Sequence, residues 1–132
     1  MNLFFIGATF ISSGKSCKPD KPCPEDIICS MVFKSITVEI LDSNGNAVQL
    51  DEAEVSSKHF NQKLDAVVES PSGGPYIIVD DSYMKFLSAD DAREVQFSGW
   101  LNDSLVVREV FLIRHDCCHV VLVEGPEEIT LE

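Results

Sequence analysis

Apolar and polar residues alternate along most of this chain. In residues 35–41, Ile36, Val38 and Ile40 fall on one side and Thr37 and Glu39 on the other, the period-two pattern of a half-buried strand. Residues 94–101 repeat it, with Val95, Phe97 and Leu101 facing one way and Gln96, Ser98 and Trp100 the other. The run Tyr76-Ile77-Ile78-Val79 is apolar throughout and predicts a buried strand. Residues 54–57 and 64–68 are short candidate strands, 104–114 and 118–124 are the last long ones, and 129–131 adds an edge.

Turn signals separate these runs. Asn44-Gly45 between alternating segments predicts a tight hairpin, because both central positions of such a turn need positive φ. A calcium loop starting at Asp42 is excluded: that loop needs glycine at position six and glutamate at twelve, and here Gly45 is fourth and Ala53 twelfth. Residues 70–75 form a Pro/Gly/Ser loop, Asn102-Asp103 makes another turn, and Gly125-Pro126 ends a strand. Asp80-Asp81-Ser82 before residues 83–87 predicts a single helical turn. About seven strands with almost no helical periodicity predict an all-β fold, an antiparallel β-sandwich or small barrel.

Composition narrows this further. A chain of 132 residues supports one core. Its 45% hydrophobic and 24% charged residues are those of a globular protein. The net charge of −12 argues against nucleic acid, whose phosphates demand Lys and Arg. The charge is uneven. Residues 1–34 carry Lys15, Lys18, Lys21 and Lys34 against Asp20, Glu25 and Asp26, a net +1, so the remainder carries −13. The composition shifts near residues 30–35. We therefore expect an export signal over 1–16, a cysteine-bearing tether over 17–34, and the sandwich over 35–132.

The apolar run of residues 3–11 is too short to cross a bilayer and fits the hydrophobic region of an export signal. The alternative is a buried first strand. Small residues Ser12, Ser13 and Gly14 follow, and then Cys17 opens a Lys/Pro stretch. Five cysteines leave one odd in an exported chain. Cys23, Cys29, Cys117 and Cys118 are expected to form two disulfides. Pairing Cys117 with its neighbour Cys118 would strain a small ring, which leaves two connectivities, both clamping the tether to a late strand. Adjacent strand residues point to opposite faces, so one bridge is expected towards the core and the other outside. Zinc is the rival, through Cys23, Cys29 and Asp116-Cys117-Cys118-His119, but the five-residue gap between Cys23 and Cys29 is wider than zinc sites use. A cysteine nucleophile paired with His59, His115 or His119 has no motif to support it.

The stretch Val38-Glu39-Ile40-Leu41-Asp42-Ser43-Asn44-Gly45-Asn46-Ala47-Val48 resembles the opening hairpin of carboxypeptidase-regulatory-like and transthyretin-like sandwich domains, with Ala47 in place of their usual proline. Cys17 resembles the lipid-attachment cysteine of bacterial lipoproteins, although Gly14-Lys15-Ser16 departs from their usual approach sequence; the alternative is a Cys17 that is free or paired between chains. With Asp116-Cys117-Cys118-His119-Val120, the whole chain resembles small bacterial envelope lipoproteins. The resemblance implies an immunoglobulin-like or transthyretin-like sandwich anchored by lipid on Cys17, a binding module with no catalytic residues, and a periplasmic or surface location. A secreted soluble protein is the alternative location.

Three groups of side chains are candidate sites. Trp100, the only tryptophan, shares a face with Gln96 and Ser98 and is placed to stack on a sugar or partner protein. Asp80, Asp81, Asp90 and Asp91 are candidate calcium ligands, with solvated loop charge as the plainer reading. Glu54, Asp65 and Glu69 are available carboxylates, but nothing in their spacing demands glycoside chemistry and short loops leave little room for a cleft. The expectation is a non-catalytic envelope module that binds another protein or a glycan, uses no cofactor and meets the membrane only through its anchor. A calcium- or carbohydrate-binding domain comes second, and an enzyme accessory or hydrolase third.

Overall fold

Ile36, Val38 and Ile40 are buried at the centre of β1 (Ser35–Leu41), as the alternation requires. The computed structural model describes residues 23–60, the backbone of 64–65, and residues 74–132. The export run, Cys17, most of the predicted 64–68 strand, Glu69 and most of the 70–75 loop lie outside the described residues.

The described residues form eight strands in two sheets: β1, β2 (Glu52–Ser56), β3 (Leu64–Asp65), β4 (Tyr76–Asp80), β5 (Arg93–Leu101), β6 (Ser104–His115), β7 (Val120–Glu124) and β8 (Glu128–Thr130). One sheet has the order β4-β1-β8 and the other β3-β2-β5-β6-β7. Pairing is antiparallel except between β1 and β8, which run parallel. That departs from an all-antiparallel expectation. The chain leaves β7 in one sheet and enters β8 in the other, so no hairpin constrains the direction of the last strand.

The two sheets close on a single core. Val38, Ile40, Tyr76 and Val79 from the smaller sheet meet Val55, Val95, Phe97, Phe111 and Ile113 from the larger, and the Tyr76 and Phe97 rings lie 5.7 Å apart. The Tyr76 hydroxyl accepts the Leu50 N–H at 2.9 Å, which satisfies a buried donor. This is the predicted all-β sandwich.

The turns hold two surprises. At residues 42–46 only Gly45 has positive φ, and Ala47 contributes one isolated bridge to Leu41 instead of a second strand. The Asp42 carboxylate accepts the N–H groups of Asn44 and Asn46, so a side chain, more than the Asn-Gly pair, builds this turn. The tight two-residue turn is at Asn102-Asp103, both in the left-handed region between β5 and β6.

The strand predicted over 118–124 begins only at Val120. Asp116 accepts the N–H groups of Cys118 and His119, and Cys117 takes φ +75°, so both cysteines sit in the β6–β7 turn. The bridges are Cys23–Cys117 and Cys29–Cys118. Neither enters the core, contrary to the expectation of one inward and one outward, because strand alternation does not apply within a turn. Together they fasten residues 23–34, an irregular strap, across one end of the sandwich.

The segment after β4 is a 3-10 helix, Asp81–Phe86, capped by the Asp80 side chain on the Ser82 N–H. Its Tyr83 and Phe86 rings each lie 5.6 Å from Phe60.

Candidate functional sites

Two regions gather polar and aromatic side chains. The first is the outer face of the five-stranded sheet. Trp100 lies there, half-buried and turned from the core, between Glu52 of β2 and Leu105 of β6. A bulge between Gly99 and Trp100 does not reverse it, because the extra residue falls in β6, at Val106. Gln96 shares this face as predicted. Ser98 does too, but it is buried between Glu54 and Arg108 in the register and takes a long 3.4 Å hydrogen bond from Gln96 Nε2. It is therefore closed to a ligand. Gln96 borders an open groove of about 490 Å³ with Ser56, Ser57, Lys58, Phe60, Glu94 and Val110. Trp100 lies four residues further along β5, roughly 13 Å away at strand rise, so the face presents two separate contact points.

The second region is the strap junction, built around Asp81. Its carboxylate accepts the backbone N–H of Lys34 at 2.8 Å and of Val120 at 2.9 Å. It also accepts from His119 Nδ1 at 2.7 Å. His119 Nε2 lies 3.0 Å from the Ser30 hydroxyl, within hydrogen-bond distance. The Asp81 N–H in turn donates to the Lys34 carbonyl. Burial pushes the Asp81 carboxyl up, but the hydrogen bonds from His119, Lys34 and Val120 outweigh it and hold the group below the usual carboxylate range. Asp116 is also lowered, by the backbone N–H groups of His119 and Cys118.

Ser30, His119 and Asp81 stand in the hydrogen-bond order of an acyl-transfer relay. Their surroundings favour a clamp. Ser30 sits exposed on the strap beside a disulfide, the groove beside Gln96 does not border it, and both oxygens of Asp81 are tied to backbone amides. The string pins the strap to the sheet.

The remaining sequence candidates are scattered or otherwise engaged. Asp80 caps the 3-10 helix and Asp81 holds the strap, while the N–H groups of Asp90 and Asp91 turn back on the buried Ser88 hydroxyl. Among the described residues, one group of three potential metal ligands converges, Cys23, His115 and Cys117. Its two sulfurs are joined to each other, which removes the thiolates zinc requires and overturns the zinc alternative. The same bonding leaves no free thiol for a cysteine nucleophile among the four described cysteines.

Ser30 and Lys34 were not among the residues expected at a site, and Asp81 was expected as solvated loop charge, with calcium the weaker alternative. The available signal was Asp116-Cys117-Cys118-His119, which marks a cross-linked turn whose histidine needs a partner. Compared with known proteins, the chain matches no family model, no curated protein and no solved structure.

Proposed function

We propose that this protein is a non-catalytic interaction module of a bacterial cell envelope, tethered by lipid on Cys17, whose outer sheet face meets another envelope protein or a glycan. The two disulfides support the compartment, since such bonds persist where thiols oxidise. Among the described residues no helix is long and apolar enough to cross a membrane. The observation that carries the binding reading is the placement of Trp100 beside the exposed Leu105 on a sheet face from which none of the described side chains joins the core. Half-exposed Trp next to an aliphatic side chain is the kind of anchor that dominates interfaces and sugar stacking.

Crosslinking in intact envelopes tests this reading. The chain should join one partner through the outer face, and Trp100→Ala should abolish the crosslink while leaving the melting temperature within a few degrees. A crosslink unaffected by Trp100→Ala and Gln96→Ala together would overturn the assignment of the face. The non-catalytic part has its own test. A fluorophosphonate should leave the protein mass unchanged, whereas a Ser30 adduct lost in His119→Ala would replace the binding reading with a hydrolase.

A further inference from the structure

The Cys23–Cys117 bridge differs from its neighbour in two ways. The first is an attendant histidine: a ring nitrogen of His115 and the two sulfurs lie within 4.8 Å of one another. His115 ends β6, where its backbone N–H donates to the Ser88 carbonyl. Its Nδ1 accepts the Cys117 N–H at 3.0 Å, which holds the ring beside the bridge. Cys23 is exposed and Cys117 half-buried, so the Cys23 end is the one open to an incoming group.

The second difference is what holds each pair of sulfurs together once its bond is broken. Next to Cys29, the Ser30 hydroxyl lies 3.0 Å from His119 Nε2, and Lys34 exchanges hydrogen bonds with Asp81. Those links keep a freed Cys29 thiol beside Cys118 at high effective concentration, which favours closing the bond again. Residues 24–28 are exposed, and among the described residues none of them is hydrogen-bonded to the sandwich. A freed Cys23 hangs on this stretch alone and can leave its partner. The strap stays fastened at Cys29 meanwhile, so the sandwich need not unfold for the first bridge to open.

We propose that Cys23–Cys117 is a thiol–disulfide exchange site, opened by a dithiol reductant while Cys29–Cys118 stays closed. One thiol of the reductant attacks Cys23 Sγ, and His115 takes its proton. The Cys23–Cys117 bond breaks, its electron pair leaves on Cys117, and His115 returns the proton to that sulfur. The second thiol then attacks the reductant's own sulfur in the mixed disulfide, and Cys23 leaves with the proton of that thiol. The protein bridge gains two electrons and two protons, which the dithiol loses as it closes into its own disulfide. Nδ1 is the proton-accepting nitrogen of the neutral His115 ring, since it accepts the Cys117 N–H, so proton uptake displaces only that one bond. Opening lets the chain ahead of Cys23 move up to about 20 Å further from the β6–β7 turn, the extended reach of residues 23–29. The exchange therefore sets the length of the tether. The inference rests on the oxidising compartment proposed above, and on neither the lipid at Cys17 nor the Trp100 face.

Differential alkylation of the full folded chain provides the test. Free thiols are blocked with N-ethylmaleimide, dithiothreitol is added, and newly opened cysteines are trapped with the deuterated reagent and mapped by mass. Cys23 and Cys117 should label together, at least about tenfold faster than Cys29 and Cys118. With glutathione in place of the dithiol, the mixed disulfide should form on Cys23. His115→Gln keeps an acceptor for the Cys117 N–H and should slow opening of Cys23–Cys117 at least about tenfold. The Cys29–Cys118 rate and the melting temperature should not change in that variant. Equal rates for the two bridges, or faster opening of Cys29–Cys118, overturn the inference, and this comparison decides even where His115→Gln fails to fold. Glutathione found on Cys117 overturns it as well. An unchanged rate in a folded His115→Gln removes the proton transfer and with it the site. All three results leave the envelope reading standing, because the crosslinking experiment tests that reading separately.

Discussion

Asp81 and His119, thirty-eight residues apart in the chain, share a hydrogen bond of 2.7 Å at the point where the strap crosses the sheet. The carboxylate begins the 3-10 helix after β4 and the imidazole ends the β6–β7 turn, so one contact joins both sheets to residues 30–34. Its geometry depends on Asp116, which accepts the His119 N–H at 2.7 Å and fixes the turn that carries the ring.

Acid should loosen this junction. Asp81 and Asp116 have folded-state pKa values below their unfolded ones, so their contribution is present above about pH 4 and is lost as pH falls through the folded values. Urea denaturation from pH 6 to pH 2 should show a falling limb below pH 4. Asp81→Asn should flatten that limb and cost roughly 2–4 kcal/mol at neutral pH, because the mainly buried carboxylate accepts three hydrogen bonds. A limb unchanged in Asp81→Asn would remove Asp81 as its source.

The two disulfides should act non-additively. They span 94 and 89 residues and close nearly the same loop. Replacing either pair with serine should cost little, since the other still restrains the unfolded chain. Replacing both should cost about 4–5 kcal/mol in the chain-entropy picture. Equal and additive losses in denaturant melts would contradict this.

Phe97 and Trp100 should respond in opposite ways to truncation. Phe97 is fully buried in the core, and Phe97→Ala should cost about 3–5 kcal/mol. Trp100 faces outward, and Trp100→Ala should change stability by less than about 1 kcal/mol. A large loss at Trp100 would mean that the ring belongs to the core.

Gly125 leaves no room for a side chain. Its φ is +152°, and an added Cβ would stand 2.5 Å from the buried ring of Phe111. Gly125→Ala should destabilise by about 2–3 kcal/mol, read as a lowered melting temperature.

Most of the fold was legible in the sequence. Alternation placed Ile36, Val38 and Ile40 inside and Trp100 and Gln96 outside, because a strand's period of two assigns faces without knowing the partner strand. The acid before the 3-10 helix was equally legible, since capping involves residues two or three apart. The candidate site was legible only in fragments. Asp81 and His119 were each visible, Asp81 as loop charge with calcium the weaker alternative and His119 in a zinc set that the spacing disfavours, but nothing local pairs two residues 38 positions apart.

Local residues thus determined the strands, the face of each side chain, the cross-linked nature of Cys23, Cys29, Cys117 and Cys118, and the charge contrast between head and body. Only the folded chain decided which cysteines pair, that β8 runs parallel to β1, and that Ser30, Asp81 and His119 meet. The reason is one of range. Backbone periodicity, turns and caps act over a few residues. A hydrogen bond across 38 residues or a disulfide across 89 depends on where two sheets come together, and no spacing in the chain encodes that distance.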